Sequence, residues 1–333
     1  MTGALRVGVL GGADIARRRM LPALAADPDV ELVAVASRDA ARAADLAHRF
    51  GGRPVTGYDE VLAAGDVDAV YVPLPAALHA PWVRRALIAG KHVLSEKPLT
   101  TDATTTSALL SLARVRGLAL LENVLFVHHP QHAVARQLVA DGAIGEPRVF
   151  SASFAVPPRP DGDIRYRADL GGGALLDVGY YPVRAALELL GPGLTVAGAV
   201  LDRSEGRNVD TSGAALLRGP GGVTAHLAFG MEHAYRSRYE VWGSAGHLVV
   251  EPAFTPPADH RPRLALSGPG GQREVVLGAD DQVAAAVRAF VRAARGGPVD
   301  ARTEALAVRQ AELLDEIRAA ADRVASPLSG GHG

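Results

Sequence analysis

Of the 35 basic residues in this chain, 33 are arginine; the two lysines are Lys91 and Lys97. A guanidinium keeps its proton, with a pKa above ~12, whereas burial or a neighbouring charge can bring an ammonium into range for proton transfer. Lys97 stands in Glu96-Lys97-Pro98, directly after the run Lys91-His92-Val93-Leu94-Ser95. That is a strand end, where open α/β sheets place their chemistry, so Lys97 is a candidate proton donor. Lys91 reads as an ordinary structural residue. A second constellation lies in Gly171-Gly172-Gly173-Ala174-Leu175-Leu176-Asp177-Val178-Gly179-Tyr180-Tyr181. Triple glycine followed by a helical run sets Asp177 and Tyr181 four residues apart, on one face. Such a pair can orient a sugar hydroxyl and donate to a carbonyl; a capped helix with a core tyrosine has the same pattern.

The elements that must position these groups follow from periodicity. Residues 5–10 form a short apolar run that reads as a buried parallel strand. It leads into Gly11-Gly12-Ala13-Asp14-Ile15-Ala16 and a helical pattern reaching about Ala25. Strand, glycine turn and helix are the setting of a dinucleotide-binding loop, although Ala13 and Ala16 stand where glycines are usual. The next strand, Glu31–Ala36, ends in Ser37-Arg38, with Arg42 a turn later and no acid at the key position. A free ribose 2′-hydroxyl favours an acid there, whereas a hydroxyl beside a guanidinium suits a phosphate, so NADP(H) is the expected cofactor. A strand–helix pair is read near 54–64 and further strands at 67–72, 91–95 and 118–121, with helices near 39–49, 79–89 and 102–116. The alternation implies a Rossmann doubly wound parallel sheet. His79 either caps its helix, packs there or lines the site.

After Asn123 the character changes. A helix near 130–141 precedes strand-like segments at 148–156, 196–202, 212–217, 223–229, 239–243 and 247–250, and strand character continues to about 277. Short glycine and proline turns imply a mostly antiparallel open sheet. Helices near 281–295 and 302–325 close the chain. Two domains are therefore expected, 1–123 and 124–330, with the last helices free to pack back on the first. At 333 residues, 48% apolar, 21% charged and a net charge of −1, the chain reads as an ordinary globular protein and not as a general nucleic-acid or membrane-surface binder. The absence of cysteine excludes disulfides and thiolate catalysis, and no metal site is read from the sequence. Neither a signal peptide nor a run of the ~20 apolar residues needed for a membrane span is recognised, so a cytoplasmic location is expected.

The glycine turn, Glu96-Lys97-Pro98 and Asp177-x-Gly-x-Tyr181, in this order, resemble the glucose-fructose oxidoreductase/inositol dehydrogenase (Gfo/Idh/MocA) family over nearly the whole chain. Within it the chain is most similar to the NADPH-dependent 3-ketoreductases of dTDP-deoxysugar biosynthesis in antibiotic-producing actinomycetes. Gly12-Ala13-Asp14-Ile15-Ala16, His128-His129-Pro130-Gln131-His132, Gly162-Asp163-Ile164-Arg165-Tyr166, Phe229–Tyr235 and Phe254-Thr255-Pro256-Pro257 carry that likeness. The resemblance implies reduction of the C3 ketone of a dTDP-3,4-diketo-2,6-dideoxyhexose, with Lys97 as proton donor and Tyr181 as the second donor. It places Gly12, Ala13, Asp14, Ile15, Ala16, Arg17, Arg18, Ser37, Arg38, Tyr58, Leu74, His79, Arg165 and Asp177 around the cofactor; Gly11 and Glu96 are counted with them. It places Arg19, Tyr235 and Thr255, with Lys97 and Tyr181, on the nucleotide-sugar; Tyr235 either stacks on thymine or bonds a phosphate. A homodimer or homotetramer is implied through the open face of the second sheet. The rival expectations are an NADP-dependent D-xylose or trans-dihydrodiol dehydrogenase of the same family and an NADP(H)-binding regulator without turnover.

Overall fold

Six parallel strands in the order β3-β2-β1-β4-β5-β6 build the first sheet of the computed structural model, which describes residues 3–297 and 301–325. They are β1 (Leu5–Leu10), β2 (Val30–Ser37), β3 (Arg53–Thr56), β4 (Ala69–Val72), β5 (His92–Glu96) and β6 (Leu120–Asn123). Strands β1, β4 and β5 are almost wholly buried, as expected of central parallel strands covered on both faces. The helices α1 (Leu21–Ala26), α2 (Ala40–Phe50), α3 (Asp59–Ala63), α4 (Ala76–Ile88) and α5 (Ala103–Arg116) alternate with them. Their ends are written locally. The Asp39 carboxylate accepts from the backbone N–H groups of Ala41 and Arg42 at the start of α2, and that of Asp102 accepts from Thr105 in α5. Gly117, at φ 64°, supplies the left-handed stop to α5.

The chain divides into two compact units. The sequence suggested a break after Asn123; the contacts place it after His128, and residues 281–297 and 301–307 belong with the first unit. The apolar stripe Val283, Val287, Phe290, Val291 and Ala294 of the helix Gln282–Ala294 joins the same buried cluster as Val7, Val9, Leu24 and Tyr71.

The second unit holds residues 129–280 and 308–325. It begins with α6 (Pro130–Ala140) and contains α7 (Tyr180–Leu190). Its sheet has eight strands in the order β14-β13-β12-β11-β7-β10-β9-β8. They are β7 (Pro147–Ala155), β8 (Thr195–Asp202), β9 (Ser212–Arg218), β10 (Thr224–Gly230), β11 (Arg236–Gly243), β12 (His247–Val250), β13 (Arg263–Gly268) and β14 (Gly271–Val276). All neighbours are antiparallel except the central pair β7–β10. Helix α7 covers one face, and Gly179 lets its segment approach β10, since a Cβ there would sit 3.1 Å from the Phe229 ring. The opposite face presents Val200, Leu216 and Trp242 to the exterior, their strand neighbours Ala199, Leu217 and Val241 being turned inward. No helix among the described residues is long and apolar enough to cross a membrane.

Candidate active site

In the first unit the ends of β1, β2, β4 and β5 lie side by side, because these strands are parallel neighbours in one sheet. They bring Gly11, Ser37, Pro73 and Glu96-Lys97 to one edge of the sheet. Gly11 has φ 127°, and a Cβ there would crowd the Pro73 carbonyl oxygen at 3.1 Å and Leu74 at 3.0 Å. Only glycine suits that turn. Gly12 packs against α2, where a Cβ would meet Leu46 at 2.8 Å and Arg42 at 3.0 Å. The chain then enters a wide π-helical turn over Ala16–Met20, of the kind that concentrates at functional sites. Asp14 pairs with Arg17 at 2.7 Å and Arg18 at 3.0 Å, and all three are exposed; Ala13, Ile15 and Arg19 are half-buried, and Ala16 is buried.

At the end of β2, Ser37 is buried and its hydroxyl accepts from the Asp39 N–H at 3.1 Å, while Arg38 is exposed. Burial pushes the Tyr58 pKa up, opposed by the charge of the Arg38 guanidinium. Asp39 is the nearest acid, but its Oδ1 is occupied at the start of α2. These residues fit a dinucleotide with a 2′-phosphate: a glycine turn without Cβ atoms, a helix start beyond it, and an exposed guanidinium where a ribose-binding acid would otherwise stand.

Lys97 follows β5 directly and is half-buried. The Glu96 side chain turns inward, where its Oε1 accepts hydrogen bonds from the Tyr71 hydroxyl and the Asn123 amide, each at 2.7 Å. Burial raises the Glu96 pKa, opposed by those two hydrogen bonds and by the Lys97 ammonium. Glu96 thus anchors the strand end that carries Lys97. His79 neither caps nor lies at the start of its helix, since α4 begins at Ala76. Its ring is buried between two backbone carbonyls, with Nδ1 2.7 Å from Pro98 O and Nε2 2.7 Å from Leu74 O. A neutral imidazole can donate to only one of them. Two acceptors favour the charged ring, but burial is the larger influence and holds the His79 pKa below its ordinary value. His79 therefore ties the segment after β4 to the peptide following Lys97.

Lys91 has the structural role expected of it. Its ammonium donates to the carbonyls of Ala64 and Val67, each at 2.7 Å. Replacing it with methionine strands both acceptors and should lower unfolding stability by about 1–3 kcal/mol. A urea titration that finds no change in midpoint would show that water takes over both bonds.

In the second unit, Asp177 lies in a π-helical turn, Leu175–Gly179, and not in a plain α-helix. That turn is pinned at its start by Asp210, whose carboxylate accepts from the Leu175 N–H at 2.6 Å. Gly173, at φ 121°, faces the same carboxylate. Asp177 Oδ2 accepts from Arg165 Nε at 2.7 Å, and Arg165 also donates to Asp163 at 3.1 Å. The two carboxylates, Asp177 foremost, hold the guanidinium firmly protonated. The Tyr181 ring rests edge-on against Phe154, with centroids 4.7 Å apart, and tilted against Phe254 at 5.6 Å. Tyr235 is exposed and pairs through its hydroxyl with Thr255 at 2.8 Å. The segment before Thr255 is fixed from α6: Gln131 donates to Ala253 O at 3.0 Å, and His132 Nε2 lies 3.0 Å from the same oxygen. The histidine-rich stretch 128–132 is thereby a clamp on residues 252–253. Sequence reasoning did not find Tyr71, Asn123, Asp163 and Asp210 as supports.

The chain belongs to the Gfo/Idh/MocA oxidoreductase family. The model of its NAD-binding Rossmann fold matches residues 5–124, and that of its C-terminal domain matches 132–249. Among individual relatives, a dTDP-3,4-didehydro-2,6-dideoxy-alpha-D-glucose 3-reductase of Streptomyces violaceoruber is 56% identical over 330 residues, 96% of each chain. A 3-ketoreductase from Actinomadura kijaniata, crystallised with NADP and TDP-benzene, superposes with a TM-score of 0.93 at 52% identity, over 96% of this chain and 98% of that one. A D-xylose 1-dehydrogenase (NADP(+)) of Haloferax volcanii is 36% identical over 87% of this chain and 89% of its own.

Proposed function

We propose that this protein is an NADPH-dependent sugar 3-ketoreductase. It reduces the C3 ketone of dTDP-3,4-diketo-2,6-dideoxy-D-glucose to give dTDP-4-keto-2,6-dideoxy-D-glucose in deoxysugar and antibiotic biosynthesis. The observation that carries this reading is the 56% identity to such a reductase over 96% of both chains, together with the retained Glu96-Lys97-Pro98 and Asp177-x-Gly-x-Tyr181 segments. Bound NADPH supplies the hydride that adds to C3. Lys97 stabilises the negative charge growing on the carbonyl oxygen and gives it a proton, so that the alkoxide becomes the alcohol. Tyr181 is the second donor and orients the carbonyl. Glu96, Tyr71 and Asn123 hold the strand end under Lys97, and Phe154 and Phe254 hold the Tyr181 ring.

For the remaining ligand contacts, the glycine turn with Asp14, Arg17 and Arg18 faces the cofactor pyrophosphate, and Ser37, Arg38 and Tyr58 face its 2′-phosphate. Leu74, His79, Arg165 and Asp177 shape the rest of the cofactor site, and Arg19, Tyr235 and Thr255 bind the nucleotide-sugar. The protein works in the cytoplasm as a homodimer or homotetramer, associating through the sheet face that carries Val200, Leu216 and Trp242.

The xylose dehydrogenase likeness is weaker, at 36% identity, and a regulator without turnover has no use for both Lys97 and Tyr181. Purified protein is expected to consume NADPH with the dTDP-diketo sugar and to leave free D-xylose unoxidised with NADP. Faster oxidation of xylose, or cofactor binding with no turnover of either substrate, overturns the assignment.

A further inference from the structure

Ala253 stands at the head of the segment that carries Phe254 and Thr255, and its carbonyl oxygen faces two donors from α6 at once. Gln131 Nε2 and His132 Nε2 each lie 3.0 Å from that oxygen, and Gln131 Nε2 also reaches Pro252 O at 3.3 Å. The other ring nitrogen of His132, Nδ1, is 3.0 Å from the hydroxyl of Tyr239, in β11. A carbonyl only accepts, so Nε2 carries the ring proton; on a neutral imidazole Nδ1 is then the acceptor, and Tyr239 donates to it. His132 is 3% exposed, and burial pushes its pKa down to about 3, so the ring is neutral at any working pH. Tyr239 thereby selects the tautomer, and the tautomer aims a donor at Ala253. From the other side, the N–H groups of Ala253 and Phe254 donate to Ser237 O at 2.8 Å and Ser237 Oγ at 2.9 Å, again in β11. Residues 253–254 are thus bonded on both sides.

Two parts of the proposed site depend on that segment, and all of them lie in the second unit. The buried Phe254 ring tilts against Tyr181 at 5.6 Å between centroids and meets Phe154 edge-on at 5.3 Å, and Phe154 holds Tyr181 from its own side at 4.7 Å. The next residue, Thr255, pairs with the Tyr235 hydroxyl at 2.8 Å. We infer that His132 is a positioning residue for ketone reduction: it fixes the backbone at Ala253, and through Phe254 and Thr255 it sets both the Tyr181 ring and the Tyr235–Thr255 contact with the nucleotide-sugar. The inference rests on the reading that Tyr181 is the second donor and that Tyr235 and Thr255 bind that ligand. An apolar side chain at 132 would fill the space, but it could not put a donor on Ala253 O. Buried as it is, His132 acts only through these neighbours.

The test is steady-state kinetics of the full chain with the dTDP-diketo sugar, beside isothermal titrations with dTDP and with NADPH. His132→Leu is expected to lower kcat about tenfold and weaken dTDP about fivefold, with NADPH affinity held within about twofold, because a displaced donor loses rate steeply. His132→Gln, whose amide keeps a donor near the place of Nε2, recovers most of both losses. Tyr239→Phe releases the tautomer and shows the same pattern at about two- to threefold. In a Tyr181→Phe background His132→Leu lowers kcat little further, since the hydroxyl it aims is gone, yet it still weakens dTDP. A lower melting temperature with kcat and dTDP affinity unchanged makes His132 a stability residue and overturns the inference. So does a kcat loss that multiplies fully with that of Tyr181→Phe, or an equal loss of NADPH affinity. If His132→Leu does not fold, Tyr239→Phe decides, and parental kcat and dTDP affinity in that variant overturn the inference. If Tyr181→Phe keeps the parental kcat and Thr255→Val the parental dTDP affinity, the reading of the site fails and the role of His132 fails with it. A failure confined to the His132 and Tyr239 variants leaves Tyr181 and Thr255 standing.

Discussion

Lys97→Met is expected to leave NADPH binding within a few-fold of the parent while lowering kcat for ketone reduction by about 10²–10⁴-fold, the usual contribution of a positioned general acid. Methionine keeps an apolar stem of similar length, so the change removes an ammonium without opening a cavity. The support beneath it stays intact, because the hydrogen bonds of Glu96 run to Tyr71 and Asn123. The variant does leave the buried Glu96 carboxylate without the neighbouring ammonium that lowers its pKa. Some loss of thermal stability is therefore expected as well, and a melting curve separates it from the loss of turnover. NADPH affinity by fluorescence titration and kcat at saturating dTDP-diketo sugar are the deciding measurements. A variant that retains a tenth or more of the parental kcat transfers the proton from another group, and Tyr181→Phe is then the next substitution to read. Loss of NADPH binding in parallel with turnover gives Lys97 a cofactor-holding role.

The first sheet was legible because its strands are buried on both faces and read as unbroken apolar runs. The runs at 5–10, 31–36, 67–72 and 91–95 correspond to β1, β2, β4 and β5 within two residues at either end. Strand β6 was read at 118–121 and lies at Leu120–Asn123, because Gly117 closes α5 and Leu118 is still bonded back to Ala113. The second sheet was harder. Only one face of β11 is buried, so its first residues, Arg236 and Arg238, look like loop, and the strand begins at Arg236 instead of 239. Strand β14 is almost wholly exposed at the sheet edge and carries little apolar signal. Lys97 stood out because a strand end and a rare residue type coincide in sequence. The groups that support it did not, since Tyr71, Glu96 and Asn123 come from three different strands and meet only when the sheet forms. The π-helical form of Leu175–Gly179 was not legible either. The sequence shows Gly173 but not the Asp210 carboxylate that takes the Leu175 N–H from 35 residues further along the chain than Leu175.

Arg38→Ala is expected to weaken NADPH by about 10- to 150-fold, the equivalent of ~1.5–3 kcal/mol for a hydrogen bond to a charged group, with NADH affected little. The selectivity follows from what surrounds the end of β2. Ser37 is buried with its hydroxyl already accepting from Asp39 N–H, so it has an oxygen and a proton to offer but no charge. Asp39 could in principle bind a ribose hydroxyl, as an acid does in NAD-dependent enzymes. Its Oδ1 instead takes the N–H groups of Ala41 at 2.9 Å and Arg42 at 3.1 Å, and releasing it would uncap α2. NADH therefore gains no partner here that NADPH lacks, whereas the 2′-phosphate dianion gains a guanidinium. Arg42 stands a turn away against Gly12 and supplies the residual attraction that keeps the expected loss finite. The effect should shrink at high ionic strength, because the contact lies at an exposed arginine. Dissociation constants for both cofactors at two salt concentrations decide the matter. Equal weakening of NADPH and NADH would mean that Arg38 holds the adenosine and not the phosphate, and a gain in NADH affinity beside an unchanged NADPH affinity would place the 2′-phosphate on Arg42.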